Sequence, residues 1–100
     1  MIRKSINTLL VVEDNAGDAR LLRDMLDVPG AYTTEITHVE SMRDAEKHLA
    51  EHQFDMILLD LGLPDAQGLE AVRRAHAVAP HVPLVVLTGI LFPIAIVTTN

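Results

Sequence analysis

Three short apolar runs constrain this chain more than any other feature. They are Thr8-Leu9-Leu10-Val11-Val12, Phe54-Asp55-Met56-Ile57-Leu58-Leu59 and Leu84-Val85-Val86-Leu87. Each stops abruptly at polar residues: Glu13-Asp14, Asp60 and Thr88-Gly89. Their length and β-branching suit strands buried on both faces. Between them the period changes to helical. Ala19, Leu22 and Leu26, with Met25 beside them, mark a first helix from Asn15 to Leu26, which Pro29-Gly30 ends. Met42, Ala45 and Leu49 mark a second helix, opened by Ser41 with Asp44 three residues on, as in a capping box. Leu69, Val72, Ala75 and Ala79 mark a third, from Gly68 to Ala79. Tyr32 to Val39 alternates instead, as a strand near a sheet edge does. The order βαβαβαβ predicts a mostly parallel sheet with helices on both faces, joined by right-handed crossovers.

Composition narrows the function. The 100 residues suit one modest domain, and aromatics are only 3%, so the core must be aliphatic. The net charge of −6 disfavours nonspecific nucleic-acid binding. The absence of cysteine excludes disulfides, thiolate metal sites and a Cys nucleophile. Leu84 to Thr98 is interrupted at Thr88-Gly89 and Pro93, and falls short of the roughly 20 residues that a membrane span needs. The run Leu9–Val12 is too short for a signal peptide, so the expected location is the cytoplasm.

In an open parallel sheet, ligands bind beyond the carboxyl ends of the strands. If the three apolar strands are neighbours, Glu13, Asp14, Asp60 and Thr88 converge there. Crowded carboxylates repel one another, and a hard divalent cation such as Mg2+ relieves the repulsion. A Thr88 hydroxyl could then donate to an anion held by the metal. The set suits a carboxylate nucleophile handling a phosphoryl group.

Leu10-Val11-Val12-Glu13-Asp14-Asn15, Ile57-Leu58-Leu59-Asp60-Leu61-Gly62-Leu63-Pro64-Asp65 with Gly68, and Val85-Val86-Leu87-Thr88-Gly89 together resemble the response-regulator receiver domain of two-component signalling. The resemblance covers about residues 7 to 89. It implies an α/β, flavodoxin-like, doubly wound sheet of order 2-1-3-4, with the family's fifth strand and last helices missing or replaced by an apolar tail. It implies that Asp60 takes a phosphoryl group from a phosphohistidine on a histidine kinase or phosphotransfer protein. It further implies Mg2+ held by Asp14, Asp60 and the backbone carbonyl of Gly62, with Glu13 close by, and Thr88 as the switch hydroxyl. Pro64 and Gly68 would shape the loop after the nucleophile. Such a domain is a signalling phosphoacceptor, with at most Mg2+-dependent self-phosphorylation and dephosphorylation, and its output passes through partners.

The chain departs from that pattern after Gly89. Residues 1–89 are expected to form the receiver unit, and residues 90–100 an atypical apolar tail. The only lysines are Lys4 and Lys47, so none matches the family's phosphate-binding lysine. Ile90 to Val97 is β-prone and uncharged, and is expected to be extended, pairing as an edge strand or supporting self-association. The alternative reading is a degenerate or truncated receiver that acts as a protein-interaction module. An aspartate-nucleophile phosphatase is disfavoured because Gly62 stands where a second acid is needed. His48-Leu49-Ala50-Glu51-His52 matches a zinc-peptidase pattern, but no third ligand is evident and a solvated helix face fits better. His38, His76 and His81 are expected at the surface.

Overall fold

The parallel core of the sheet is assembled from the apolar runs. A computed structural model describes residues 8–26 and 34–87, and the backbone of residues 93–97. The elements are β1 (Thr8–Val12), α1 (Ala16–Leu26), β2 (Glu35–Val39), α2 (Met42–Glu51), β3 (Met56–Asp60), α3 (Leu69–Val78), β4 (Leu84–Leu87) and β5 (Pro93–Val97). The sheet order is β2-β1-β3-β4-β5. The first four strands are parallel, so their carboxyl ends share one edge of the sheet. This is the flavodoxin-like order that the resemblance implies.

Alternation along the central strands divides the core between two faces. Leu10, Val12, Ile57 and Leu59 point to the side covered by α2 and α3, where Met42, Ala45, Leu49, Ala71 and Ala75 meet them. Leu9, Val11 and Leu58 point to the other side, where Leu22 and Leu26 of α1 pack. Helix α3 differs in detail from its predicted stripe. Ala71 and Ala75 are its buried residues, whereas Leu69, in the first turn, is 69% exposed.

β5 runs antiparallel to β4. The reason is chain length: only residues 88–92 separate the two strands, and a parallel return needs a crossover of a dozen or more residues. Pro93 opens β5, a position where its missing N–H is tolerated. Pairing of the tail at the sheet edge is therefore found, over residues 93–97. Residues 88–92 and 98–100, and with them the Thr88 expectation, lie outside the described residues.

A clasp at the start of α2 fixes the loop that follows β3. Ser41 caps the helix, its Oγ accepting from Asp44 N at 3.1 Å. Two further first-turn N–H groups, of Met42 and Arg43, donate to the Asp65 carboxylate at 2.8 and 2.9 Å. Burial pushes the Asp65 carboxyl up, but these two N–H groups, with the Asp65 N–H and the Arg74 charge, together hold it below its ordinary value. Arg74 of α3 donates to the Asp65 carbonyl at 3.0 Å and to both oxygens of Glu46 on α2 at 3.0 and 2.6 Å. The bidentate pair holds Glu46 below its ordinary value. Ser41→Ala should lower stability by about 1 kcal/mol, as loss of an N-cap does, read as a lower urea midpoint at unchanged slope. An unchanged midpoint would show that Asp65 alone caps α2.

Candidate phosphoryl and metal site

Three acidic residues meet where β1 and β3 end. Glu13 and Asp14 follow the last residue of β1, and Asp60 closes β3, with β1 and β3 as direct neighbours in the sheet. One carboxylate oxygen from each of Glu13, Asp14 and Asp60 lies within 4.8 Å of the other two. Asp14 is exposed, Asp60 half-buried and Glu13 buried. The predicted convergence is thus present for all three acids.

Glu13 is the constrained member. Its N–H donates to the Val39 carbonyl at 3.0 Å, and its Oε2 accepts from Asn15 N at 3.2 Å. Burial pushes its carboxyl up to about 7; the Asn15 N–H pulls it down, and Asp60 and Asp14 push it up again. Burial and the two acidic neighbours therefore disfavour the charged form of Glu13. Three oxygen donors of this kind fit a hard divalent cation, which favours the charged form that burial disfavours.

The backbone around the cluster is set by short-range bonds. Asn15 begins α1, its Oδ1 accepting from Asp18 N at 2.9 Å. Gly62 lies beside Asp60, its N–H donating to Asp60 Oδ1 at 3.2 Å. A bridge between Gly62 and Gln67, and a bond from Gly68 N to the Leu61 carbonyl at 3.0 Å, close the loop. Gly68 adopts φ 60° and ψ −135°, a conformation that only glycine takes without strain. The C-terminal end of β4 adjoins this loop, where Leu61 N donates to the Leu87 carbonyl at 3.3 Å.

His38 corrects its expected surface role. It is half-buried, and its Nε2 lies 2.7 Å from the Glu13 carbonyl oxygen. The available sign was register: in parallel pairing, His38 stands opposite Val11 and so beside the end of β1. His76 and His81 are exposed, as expected. His48 and His52, with ring centroids 6.2 Å apart, line a hollow with Thr8 and Glu35, at the opposite end of the strands. No third metal-binding side chain joins them among the described residues.

Comparison with known proteins decides the family. The profile of the response regulator receiver domain matches residues 9–91. The chain belongs to the response-regulator receiver family. It is 39% identical over 81 residues to the virulence transcriptional regulatory protein PhoP of Salmonella typhimurium, covering 81% of this chain and 35% of that protein. It is 36% identical to the transcriptional regulatory protein PhoP of Escherichia coli O6:H1, with the same coverage. The receiver thus spans about a third of the length of these relatives.

Among solved structures, the receiver is similar to the MaeR response regulator bound to beryllium trifluoride, with TM-score 0.71 and 27% identity over 82% of this chain and 66% of that one. It is also similar to the phosphorylated cyanobacterial phytochrome response regulator RcpA, with TM-score 0.69 and 25% identity over 82% of this chain and 64% of that one. No described helix is long and apolar enough to cross a membrane.

Proposed function

We propose that this receiver is a phosphoacceptor, with Asp60 taking a phosphoryl group from the phosphohistidine of a histidine kinase or phosphotransfer protein. The observation that carries the reading is the meeting of Glu13, Asp14 and Asp60 within 4.8 Å at the carboxyl ends of β1 and β3. An Asp60 carboxylate oxygen forms the new P–O bond as the P–N bond of the phosphohistidine breaks, and the electron pair returns to the leaving imidazole. Asp14 and Asp60 would hold Mg2+ with the Gly62 carbonyl, and Glu13 beside them. Bound there, the cation neutralises charge that spreads over the phosphoryl oxygens. The chain's own part is to present Asp60 from a rigid strand end and to hold the loop behind it through Gly62, Gly68 and Asp65. Thr88, just past β4, supplies the hydroxyl that follows the phosphoryl group. The state of MaeR bound to beryllium trifluoride and the phosphorylated state of RcpA support the same reading.

Residues 1–89 form the receiver unit and residues 90–100 an apolar tail. The site of action is the cytoplasm, and output passes through protein partners. Among the described residues β5 lies at the edge of the sheet with no strand on its outer side, and it is uncharged, so it supports self-association. Sedimentation velocity over a concentration series should show growing oligomers; a strict monomer at high concentration would remove this part of the proposal.

Beryllofluoride with Mg2+ tests the function. Amide NMR spectra should shift around Glu13, Asp14, Asp60 and Gly62 when Mg2+ is added, and again when beryllofluoride follows. If neither addition moves these signals, the interaction-module reading replaces this one.

A further inference from the structure

The geometry points to His38 as a positioning residue that orients Asp14 through the backbone of Glu13. Glu13 is held at both ends by consecutive residues of β2. Its N–H donates to the Val39 carbonyl at 3.0 Å, and its carbonyl oxygen lies 2.7 Å from His38 Nε2. A carbonyl oxygen only accepts, so Nε2 carries the hydrogen and donates. The Glu13 carbonyl and the Asp14 N–H belong to one planar peptide unit. Fixing that oxygen fixes the whole plane, and with it the direction in which the chain leaves for the Asp14 side chain.

Such a tether has work to do here. Asp14 is exposed and stands beyond the last residue of β1, so the strand ladder does not hold it. Asp14 also faces two other carboxylates, and their repulsion would turn a free peptide plane away from the cluster. His38 opposes that turn from a fixed place. Its strand neighbour Val39 is buried, and its ring shares a hollow with Ala16 and Ala19 of α1. The bond is therefore made by a half-buried side chain on a paired strand, not by a mobile surface group. Groups that orient metal-binding residues in this way commonly change metal affinity by about tenfold or more when removed.

The inference rests on the proposed Mg2+ site, and its test uses the whole chain with one readout that needs no metal. His38→Leu removes the donor while filling similar space, and His38→Gln supplies an amide N–H at similar reach. In metal-free protein, the residual dipolar coupling of the Asp14 N–H, which reports the orientation of that peptide plane, should change in the Leu variant and return toward the wild-type value in the Gln variant, with thermal midpoints close to one another. Titration with Mg2+ alone should then show roughly tenfold weaker binding by the Leu variant, restored in large part by Gln. Equal Asp14 N–H couplings in wild type and the Leu variant overturn the inference, as does failure of Gln to restore them. Wild-type protein that binds no Mg2+ overturns the function reading instead, while the Asp14 couplings still decide the role of His38.

Discussion

Asp60→Asn should produce a chain that accepts no phosphoryl group and yet, without metal, is more stable than the wild type. Both effects come from the same carboxylate. The loss of modification follows because an amide oxygen is a poor nucleophile and the acyl phosphate needs the carboxylate. The gain in stability follows because Asp60 lies within 4.8 Å of Glu13 and Asp14 and repels them when charged. Removing one charge at that range relieves about 1 kcal/mol in a water-like medium, and more where burial lowers the dielectric. The fold should tolerate the change, since an Asn oxygen can still accept from Gly62 N, which donates to Asp60 Oδ1 at 3.2 Å. Metal-free thermal melts at neutral pH should show the variant melting above the wild type. With excess Mg2+ the order should narrow or reverse, because the wild type gains stability from binding and the variant gains less. A variant that melts below the wild type without metal would mean that Asp60 makes favourable contacts outweighing its repulsion.

Glu13 should make the metal-free domain lose stability as pH rises toward neutrality. Its carboxyl stands near 7 in the folded chain, against an ordinary 4.5. Between those values the folded chain holds a proton that the unfolded chain has released. The contribution is full below about 4.5 and declines as pH rises through 7. A shift of this size corresponds to at most about 3 kcal/mol. Asp65 and Glu46 act in the opposite sense, since both are held below their ordinary values; what they contribute disappears in acid. Stability in chelator should therefore pass through a maximum on the acid side of neutral. Mg2+ should flatten the neutral limb, because a divalent cation favours the charged carboxylates. Urea unfolding at a series of pH values, with chelator and with Mg2+, reads both effects. Glu13→Gln should abolish the decline toward neutral pH, and a wild-type decline that survives this substitution would assign it to another group.

The fold and the acidic site differ in how openly the sequence states them. β1, β3 and β4 are continuous apolar runs because both faces of a central parallel strand are covered. Their polar termini, Glu13-Asp14 and Asp60, meet by strand polarity alone once the strands are neighbours. The cap of α2 at Ser41 was equally plain from the Ser-x-x-Asp spacing. The α3 stripe was less so. Its buried face is made of Ala71 and Ala75, small residues that fit a close helix–sheet approach, while a large apolar residue, Leu69, points outward from the first turn. The antiparallel β5 depends on the shortness of the preceding connection rather than on its own composition. The clasp of Asp65 and Arg74 on α2, and the bond of His38 to Glu13, join residues far apart in the chain. No local spacing signals such contacts; only the register of the sheet and the packing of α2 on α3 bring them about.

Phosphorylation itself is the shortest test of Asp60 as phosphoacceptor. The chain would be incubated with acetyl phosphate and Mg2+, the acyl phosphate trapped by borohydride, and the modified residue located by tandem mass spectrometry. The expected result is one modification, at Asp60, that disappears when Mg2+ is chelated. Modification of a different residue, or none in protein shown to bind Mg2+, would contradict it.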